Sequence, residues 1–207
     1  MSPAVERLDQ GLGRMGLAPP PETRERLLAL VRLLARWNRA YNLTAVRDPL
    51  AMIGHHLLDS LSALPLLRGP RLLDLGTGPG LPGLPLAIWR PDLEWVLLDA
   101  NGKKIRFVRQ AVMDLGLGNV TPVQGRIQAY PREEKFATIT ARAFASLPEL
   151  AALSRPHLVA DGVLLAFKGR RAGGELAESG LRGRVHRVEV PFVEGARAIL
   201  EIPPPEG

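Results

Sequence analysis

The sequence predicts an open α/β sheet of five parallel strands, closed by an antiparallel hairpin and preceded by a helical N-terminal extension. From residue 71 onward, short runs rich in Leu, Val and Ile alternate with helical patterns, which is typical of βαβ units. Two strand-like runs near the C-terminus lie too close together for an intervening helix, so a hairpin is the economical connection. The first seventy residues carry apolar side chains at helical spacing.

The helical extension rests on two segments. Residues 22–38 place leucines on one face directly after three prolines, which suits a helix start. The second segment begins behind Asp48-Pro49 and repeats apolar residues at similar intervals. We therefore expect residues 1–69 to form the extension and residues 70–207 to form one compact α/β unit.

Each predicted strand is a short apolar run. The parallel strands are RLLDLG (71–76), EWVLLDA (94–100), NVTPVQ (119–124), FATITARA (136–143) and GVLLAFKG (162–169). The hairpin comprises RVHRVEVPFV (184–193) and ARAILEI (196–202), joined by a short Glu-Gly turn. In an open sheet of this kind the ligand binds at the carboxyl ends of the strands, beside the first βα turn.

Composition excludes several classes of function. The 207-residue chain contains no cysteine, which excludes a disulfide framework, a thiolate metal site and a cysteine nucleophile and fits a reducing cytoplasm. The net charge of +6 suits a partner that carries phosphates, although coding bias also produces arginine-rich chains. Because no targeting signal or membrane span is visible, we expect a cytoplasmic protein that binds no membrane. No acid–histidine spacing suggests a metal site, so we expect no metal, and we expect a monomer.

A glycine-rich segment follows the first predicted strand: Asp74-Leu-Gly76-Thr-Gly78-Pro-Gly80-Leu-Pro-Gly83. Glycines let the backbone pass close to a ligand, and the amides of the next helix N-terminus face the bound group. Asp99 ends the second strand 23 residues after the first glycine, where an acid can bind both hydroxyls of a ribose. Together these features predict an adenosine-containing cofactor.

Two cofactors fit this loop. A nicotinamide dinucleotide is one, because Gly78, Gly80 and Gly83 form a G-x-G-x-x-G pattern. Asp74 would repel the pyrophosphate of that cofactor but would attract the ammonium group of S-adenosylmethionine, by about 1–3 kcal/mol if partly desolvated. The chain also lacks a Tyr-x-x-x-Lys motif. The residues therefore favour S-adenosylmethionine, with a nicotinamide cofactor or a simple strand-to-helix turn as the alternatives.

The methyl acceptor is constrained by what the sequence lacks. Methylation at C5 of a pyrimidine needs a cysteine, which the chain lacks, and exocyclic amines typically need an Asn/Asp-Pro-Pro-aromatic loop, which its Pro-Pro pairs do not form. Ribose 2′-hydroxyls commonly need a lysine beside acids; the fourth strand offers no acid, but Lys103 and Lys168 keep this acceptor open. N7 of guanine has a free lone pair, so transfer needs in-line approach at about 3–3.5 Å and no general base. We therefore predict no catalytic acid–base residue. A nicotinamide-dependent oxidoreductase and a non-catalytic RNA-binding module are the alternative functions.

Six blocks of the sequence carry a family resemblance: NRAYNLTAVRDP (38–49), HHLLDS (55–60), LLDLGTGPGLPGLPLAI (72–88), GKKIRFV (102–108), TARAFASL (140–147) and LLAFKG (164–169). In this order they resemble the blocks of the bacterial glucose-inhibited division protein B family, which are guanine-N7 methyltransferases of small-subunit ribosomal RNA. The resemblance covers about residues 25–203. It implies a class I, Rossmann-like methyltransferase fold with a seven-stranded sheet. It also implies S-adenosyl-L-methionine as cofactor and guanine 527, in the 530 loop of 16S rRNA of the 30S ribosomal subunit, as acceptor.

The resemblance also implies cofactor contacts at residues that composition alone would not select. Many relatives have a glutamate where this chain has Gln128, so a backbone contact is the expectation there. The Arg142 guanidinium would be repelled by a sulfonium, so we expect it to bind the methionine carboxylate or an RNA phosphate. The complete predicted cofactor set is Asp74, Gly76, Gly78, Gly80, Leu81, Asp99, Ile127, Gln128 and Arg142.

Polar and basic residues form the predicted RNA site. Asn42 lies in a loop between helices, where turn formation is the alternative, and His56 shares a helical face with Asp59, where a buried polar pair is the alternative. Two basic groups follow strands on the expected ligand side, where the default interpretation is a solvated surface. The first is Lys103, Lys104, Arg106, Arg109 and Arg126; the second is Lys168, Arg170, Arg171, Arg182, Arg184 and Arg187.

Overall fold

A seven-stranded sheet forms the centre of the computed structural model, which describes residues 2–142 and 145–204. The strands are β1 (Arg71–Leu75), β2 (Glu94–Asp99), β3 (Val120–Gln124), β4 (Phe136–Arg142), β5 (Leu158–Lys168), β6 (Arg184–Val188) and β7 (Arg197–Ile202). Their order is β3-β2-β1-β4-β5-β7-β6, with β1 to β5 parallel and β7 antiparallel to β5 and β6. The predicted open α/β sheet with its antiparallel hairpin is confirmed. Positions 143 and 144 of the TARAFASL block, and residues 1 and 205–207 of the predicted domain ranges, lie outside the described residues.

The helices begin where the sequence supplies caps and prolines. They are α1 (Pro3–Arg14), α2 (Pro21–Tyr41), α3 (Pro49–Met52), α4 (Asp59–Leu61), α5 (Gly83–Trp89), α6 (Gly102–Leu115), α7 (Leu147–Ser154) and α8 (Ala172–Ser179). Proline occupies the first turn of the first three, and the side chains of Asp48 and Asn101 accept backbone N–H bonds at the starts of α3 and α6. None of the helices in the described ranges is both long and apolar enough to cross a bilayer.

The segment from α3 to α4 is one continuous helix over residues 49–61. Its middle, Ile53–Leu58, is π-helical, a departure from regular α-helix that is frequent at functional sites. This segment contains both histidines of the HHLLDS block. We refer to the whole as the 49–61 helix.

Helices cover both faces of the sheet. Side chains such as Leu72 and Trp95 share one hydrophobic cluster with α1, α2, the 49–61 helix, α5 and α6. Their neighbours Leu73 and Val96 point to the other face and pack with α7 and α8. The central strands are therefore buried on both sides, which explains their nearly continuous apolar sequences. The described part of the N-terminal extension packs in the same cluster as α5 and α6.

The C-terminal region differs from the prediction in two respects. The hairpin connection is not a short Glu-Gly turn but spans residues 189–196, because Pro191 has no N–H to donate and Phe192 adopts a φ of +67°. The helix α8 follows β5 in a stretch for which the sequence pattern predicts no element. Its Ala-Gly-Gly-Glu start has little apolar periodicity, so the pattern did not indicate a helix.

Candidate active site

The sheet brings the separate sequence blocks together at one edge. Parallel strands end there, so the loop after β1 lies beside Asp99 at the end of β2 and Arg142 at the end of β4. Because β7 runs antiparallel, its first residue, Arg197, lies at the same edge, and Lys168 at the end of β5 pairs with the next residue of β7. This is the edge at which open α/β sheets bind ligands.

The glycine loop adopts backbone conformations that favour glycine. Gly76, Gly78 and Gly80 have φ angles of +67°, +60° and +80°. The backbone N–H groups of Gly76 and Thr77 donate to the carbonyl of Leu98, at 2.9 and 3.0 Å, so the loop is held against β2. This is the close-approach geometry that the glycine pattern predicts.

Asp74 lies beneath the loop and has no exposed surface. Its carboxylate accepts hydrogen bonds from the Thr77 hydroxyl at 2.5 Å, the Gly83 N–H at 2.9 Å and the Thr140 hydroxyl at 2.9 Å. Burial raises the pKa of this carboxyl, and the hydrogen bonds from Thr77 and Thr140 oppose the rise. A Cβ on Gly83 would lie 2.8 Å from Asp74 Oδ2, which explains the last glycine of the loop. Asp74 thus fixes the loop to α5, and its contact with a cofactor stays a prediction.

Asp99 joins the loop to the start of α6. Its carboxylate accepts from the N–H of Gly78 at 2.8 Å and from the N–H of Asn101 at 2.7 Å. Around Gly78 the described residues leave open space: of these, only Lys104 Nζ lies within 4 Å of a Cβ placed there, at 3.9 Å. An acid at the end of β2 beside an open glycine backbone fits an adenosyl group, with its ribose at Asp99 and its amino-acid end along the loop.

The remaining predicted cofactor residues differ in exposure. Leu81 and Ile127 are 3% and 2% exposed and pack in the two hydrophobic clusters. Gln128 is exposed in a short 3₁₀ turn, Ile127–Ala129, that follows β3. The turn lies next to the cofactor edge, because the N–H of Gly125 donates to the carbonyl of Asp99 at 3.0 Å. Direct cofactor contacts by these three residues stay predictions.

A cavity of about 510 Å³ lies at the ends of β4 and β5 and the start of β7. Asp59 lies in its wall between two guanidinium groups, with Oδ2 3.1 Å from Arg142 Nη1 and Oδ1 3.6 Å from Arg197 Nε. Burial raises the pKa of Asp59, and the charges of the two arginines oppose the rise. Arg142 also donates to the carbonyl of His55 at 3.4 Å. Arg142 thus pairs with a carboxylate of the protein itself, and its contact with the cofactor or an RNA phosphate stays a prediction.

His56 lines the same cavity but does not pair with Asp59. Its Nε2 lies 2.9 Å from the hydroxyl of Thr44, which in turn accepts from the N–H of Val46 at 3.2 Å. Burial and, secondarily, the charge of Arg142 lower the pKa of His56 from 6.5 to about 4. The imidazole is therefore neutral at pH 7 and is a weak base.

Hydrogen bonds within residues 38–46, which include the N-L-T block (residues 42–44), fix the chain that supports this wall. The side chain of Asn38 accepts from the N–H of Thr44 at 2.8 Å and donates to the carbonyl of Val46 at 3.1 Å. Asn42 ends α2 in the left-handed conformation, with φ +48°, and its side chain accepts from Arg47 at 3.3 Å. The turn role of Asn42 is thus present, and its contact with RNA stays a prediction.

The predicted basic groups lie partly on the cofactor edge. Lys103 is exposed at the start of α6, whereas Lys104 Nζ lies beside the glycine loop. Lys168 Nζ is 2.7 Å from Glu175 and Arg171 Nη2 is 3.7 Å from Glu178. Arg126 and Arg170 are exposed.

Arg184, in the second basic group, lies away from this edge. Arg187 pairs with Ala198 and is level with the end of β5, but Arg184 pairs with Glu201, three residues farther down the sheet. The expectation that the whole second group lies at the carboxyl ends is therefore wrong for Arg184. The reason is that β6 runs parallel to β5, so its first residue is level with Leu165, three residues before the end of β5.

Comparison with known proteins gives the family of the chain. The family model GidB, described as rRNA small subunit methyltransferase G, matches residues 23–200. The chain belongs to the GidB family. The match includes the glycine loop, Asp99 and the wall of the cavity.

Individual members of the GidB family align over nearly the whole chain. A protein of Methylococcus capsulatus named ribosomal RNA small subunit methyltransferase G is 50% identical over 199 residues, covering 95% of this chain and 97% of its own. A protein of the same name from Chromohalobacter salexigens is 58% identical over 179 residues, covering 86% of each chain.

Solved structures of more distant proteins share the fold of this GidB chain. A precorrin-6y C5,15-methyltransferase from Geobacter metallireducens gives a TM-score of 0.54 at 15% identity, covering 80% of this chain and 92% of its own. A SAM-dependent methyltransferase from Aquifex aeolicus gives 0.53 at 18% identity, covering 75% and 94%. The class I, seven-stranded methyltransferase fold that the family resemblance implies is confirmed.

Four residues of this GidB site were missed by sequence reasoning. Thr77 lies inside the quoted loop and Thr140 pairs with Asp74 across the sheet, so a strand alignment would have indicated their contact. Thr44 belongs to the N-L-T block, but nothing local indicates its bond to His56. Arg197 had no signal at all, because only the antiparallel register of β7 brings it to the cavity.

Proposed function

We propose that this chain transfers a methyl group from S-adenosyl-L-methionine to N7 of guanine 527 in the 530 loop of 16S rRNA. One observation carries the proposal: at a single edge of the sheet, the open glycine loop joined to Asp99 adjoins a separate cavity between β4, β5 and β7. The first fits a nucleoside cofactor and the second gives an acceptor base a place beside it. Membership of the GidB family supports the choice of ribosomal RNA.

The cofactor would lie along the loop, with Asp99 on its ribose and with Gly76 and Gly78 against its amino-acid end. When bound, it supplies a methyl group on a sulfonium, which is electrophilic. The chain's own residues then have to orient the acceptor, exclude water and hold the loop in place. Asp74 performs the last task through its bonds to Thr77, Gly83 and Thr140.

The groups in the cavity wall suit an acceptor that carries no proton. His56 has a pKa of about 4, and the two oxygens of Asp59 face Arg142 and Arg197. Neither is arranged to remove a proton from a bound base. N7 of guanine needs no such removal, because its lone pair is already free for in-line attack.

We further propose that the protein acts as a cytoplasmic monomer on rRNA of the 30S subunit and uses no metal ion. The absence of cysteine supports a reducing compartment. The excess of 27 basic over 21 acidic residues supports a phosphate-rich partner. The metal-free chemistry is supported by the acceptor, whose nitrogen needs no activation.

The decisive experiment maps the modified base. Purified protein and S-adenosylmethionine are incubated with 30S subunits and, separately, with naked 16S rRNA, both from a strain that lacks the modification. N7-methylguanine is located by reductive aniline cleavage and primer extension. A single stop at guanine 527 is expected; a stop elsewhere, or no turnover on either RNA, contradicts the proposal.

Calorimetry separates the alternative cofactor. Binding of S-adenosylmethionine without binding of NADH is expected, since Asp74 and Asp99 place two carboxylates at the loop and a pyrophosphate would be repelled. The reverse result would identify a nicotinamide enzyme. Cofactor and RNA binding without turnover would indicate the non-catalytic RNA-binding module.

A further inference from the structure

Tyr41 presents an aromatic ring to solvent beside the candidate active site. It is 42% exposed, and only Met113 and Val185 share this property among the large hydrophobic residues of the described chain. Its ring stacks on Trp37, with centroids 5.1 Å apart and planes at 29°. Trp37 in turn contacts Phe107 of α6 edge-on, at 5.7 Å and 67°. The exposed ring is thus the outer member of a row of three contacting rings, here called the aromatic column, whose inner member, Phe107, is fully buried.

This column lies at the end of α2 that is nearest the ligand edge. Ala29 and Arg32 of α2 line one cavity with Asp114 near the end of α6, whereas Trp37, farther along α2, contacts Phe107, nearer the start of α6. The two helices therefore run antiparallel. The C-terminal end of α2, with Tyr41, therefore lies toward the N-terminal end of α6, with Lys103. The chain then leads from Tyr41 to Val46, which lines the cavity.

Charge around the ring matches a polyanion. Arg39 and Arg47 are exposed within six residues of Tyr41, and Lys103 is exposed at the facing end of α6. No acidic residue occurs between Glu25 and Asp48 in the sequence, so residues 26–47 themselves supply only positive charge here. A flat exposed ring among cations is the arrangement by which proteins bind unpaired nucleotides, with bases on the ring and phosphates on the cations.

We propose that Tyr41 is a stacking site for an unpaired base of the RNA substrate, a neighbour of the guanine that enters the cavity. The proposal rests on the proposed function and names a further binding contact for it. A base on the exposed face of Tyr41 would extend the column of Trp37 and Phe107 by one ring. Its phosphates would lie toward Arg47 and Lys103. Stacking does not depend on base identity, so the site would position the strand without reading its sequence.

The test uses three variants and a fluorescent RNA. Tyr41→Phe and Tyr41→Trp keep an aromatic face, whereas Tyr41→Leu keeps an apolar contact with Trp37 but removes the π face. The probe is a single-stranded RNA with the sequence of the 530 loop, in which 2-aminopurine replaces a base flanking the target guanine. Stacking should quench its fluorescence with wild type, Phe and Trp but not with Leu. Affinity for the RNA should fall roughly tenfold in Tyr41→Leu.

Two controls separate stacking from a structural role. Calorimetric affinity for S-adenosylmethionine and the Tm should be nearly unchanged in Tyr41→Leu, because the ring is half outside the protein. The salt dependence of RNA binding should keep the wild-type log–log slope, since stacking releases no counterions. A lowered slope or a lost cofactor affinity would instead indicate a displaced helix end and would overturn the proposal.

Other outcomes also decide the matter. Equal RNA affinity of Tyr41→Leu and wild type, or equal weakness of Tyr41→Phe and Tyr41→Leu, overturns the stacking site. A loss seen with 30S subunits but not with protein-free RNA would show that Tyr41 contacts a ribosomal protein. If the wild-type protein quenches the probe but methylates no RNA, the stacking site stands and the proposed function fails. If the wild-type protein methylates guanine 527 and Tyr41→Leu does so equally well at limiting RNA, the proposed function stands and the stacking site fails.

Discussion

His56 makes the stability of the cavity wall depend on pH. The folded protein lowers its pKa from 6.5 to about 4, first by burial and then through the charge of Arg142. The unfolded chain therefore takes up the proton first as the pH falls. The contribution to the free energy of unfolding is fully present above the unfolded pKa and is lost as the pH falls toward 4. Between about pH 7.5 and 5 the expected loss is about 2 kcal/mol.

Urea unfolding at the two pH values, for wild type and His56→Gln, measures this loss. Glutamine has no titratable group and its amide oxygen can still accept from the Thr44 hydroxyl. Asp59 and Asp74 have raised pKa values, so their contributions have the opposite sign and favour the folded state at low pH. They are common to both proteins and cancel in the comparison. The same pH dependence in both proteins would show that His56 is not the group responsible.

Asp74 in β1 and Asp99 at the end of β2 both accept hydrogen bonds from the glycine loop, but we expect them to have different roles. Asp99→Asn should weaken S-adenosylmethionine binding by about 1–3 kcal/mol, because it removes charge-assisted bonds to the ribose hydroxyls. Asp74→Asn should instead lower the free energy of unfolding by about 1–3 kcal/mol, because the amide turns a donor toward Thr77 or Gly83. Calorimetry and urea unfolding of both variants check this division. Unchanged cofactor affinity in Asp99→Asn would refute the ribose assignment.

At the scale of elements, the sequence predicts the helices and strands that have a local residue pattern. It does not predict features that depend on strand register or on contacts between distant segments. The alternation of apolar runs indicates β1 to β5, and the glycine spacing indicates the loop, because both are local properties. The π-helical segment and the 189–196 connection depend on tertiary contacts, so no local pattern indicates them. The sequence predicts Asp99 because this residue ends a recognisable strand. The sequence does not predict Arg197, because its place in the cavity comes from the pairing of β7 with β5.

Gly54 shows how the π-helical segment and the 189–196 connection depend on each other. A Cβ at this position would lie 3.2 Å from the carbonyl oxygen of Pro191 and 3.2 Å from Val193 Cγ2. The Gly54→Val side chain cannot fit without moving the connection, and we expect the free energy of unfolding to fall by about 1–3 kcal/mol. The matched control is Gly13→Val in α1, where a Cβ meets no described residue within 4 Å.

Gly13→Val should be neutral or slightly stabilising, because valine has a higher helix propensity than glycine. Urea unfolding of the two variants under identical conditions gives the comparison. Equal stability of both would mean that the connection yields without cost. The connection leads directly into Arg197, so the Gly54 variant should also disturb the pair between Arg197 and Asp59.

At the scale of the whole molecule, only some of the positive charges are available to bind RNA phosphates. Several cations are already paired within the protein: Lys168 with Glu175, Arg142 with Asp59 and Arg90 with Asp92. Exposed cations at the ligand edge, such as Lys103, are free to release counterions from RNA. The formal net charge of +6 therefore does not by itself give the number of phosphates bound.

Salt dependence of RNA binding measures that number. If roughly six phosphates are neutralised, the log–log slope of affinity against salt should be about −4 to −5. Lys103→Ala should reduce its magnitude by about 0.7–0.9, the value of one phosphate contact, while leaving cofactor affinity intact.

Arg90→Ala is the control: Arg90 precedes β2 at the opposite edge and bonds Asp92 at 2.7 Å, so its removal should leave the slope unchanged. Titrations from low to high salt with both variants give the slopes. A wild-type slope near zero would refute phosphate contacts altogether, and an equal reduction in both variants would show that long-range charge, rather than a contact at this edge, attracts the RNA.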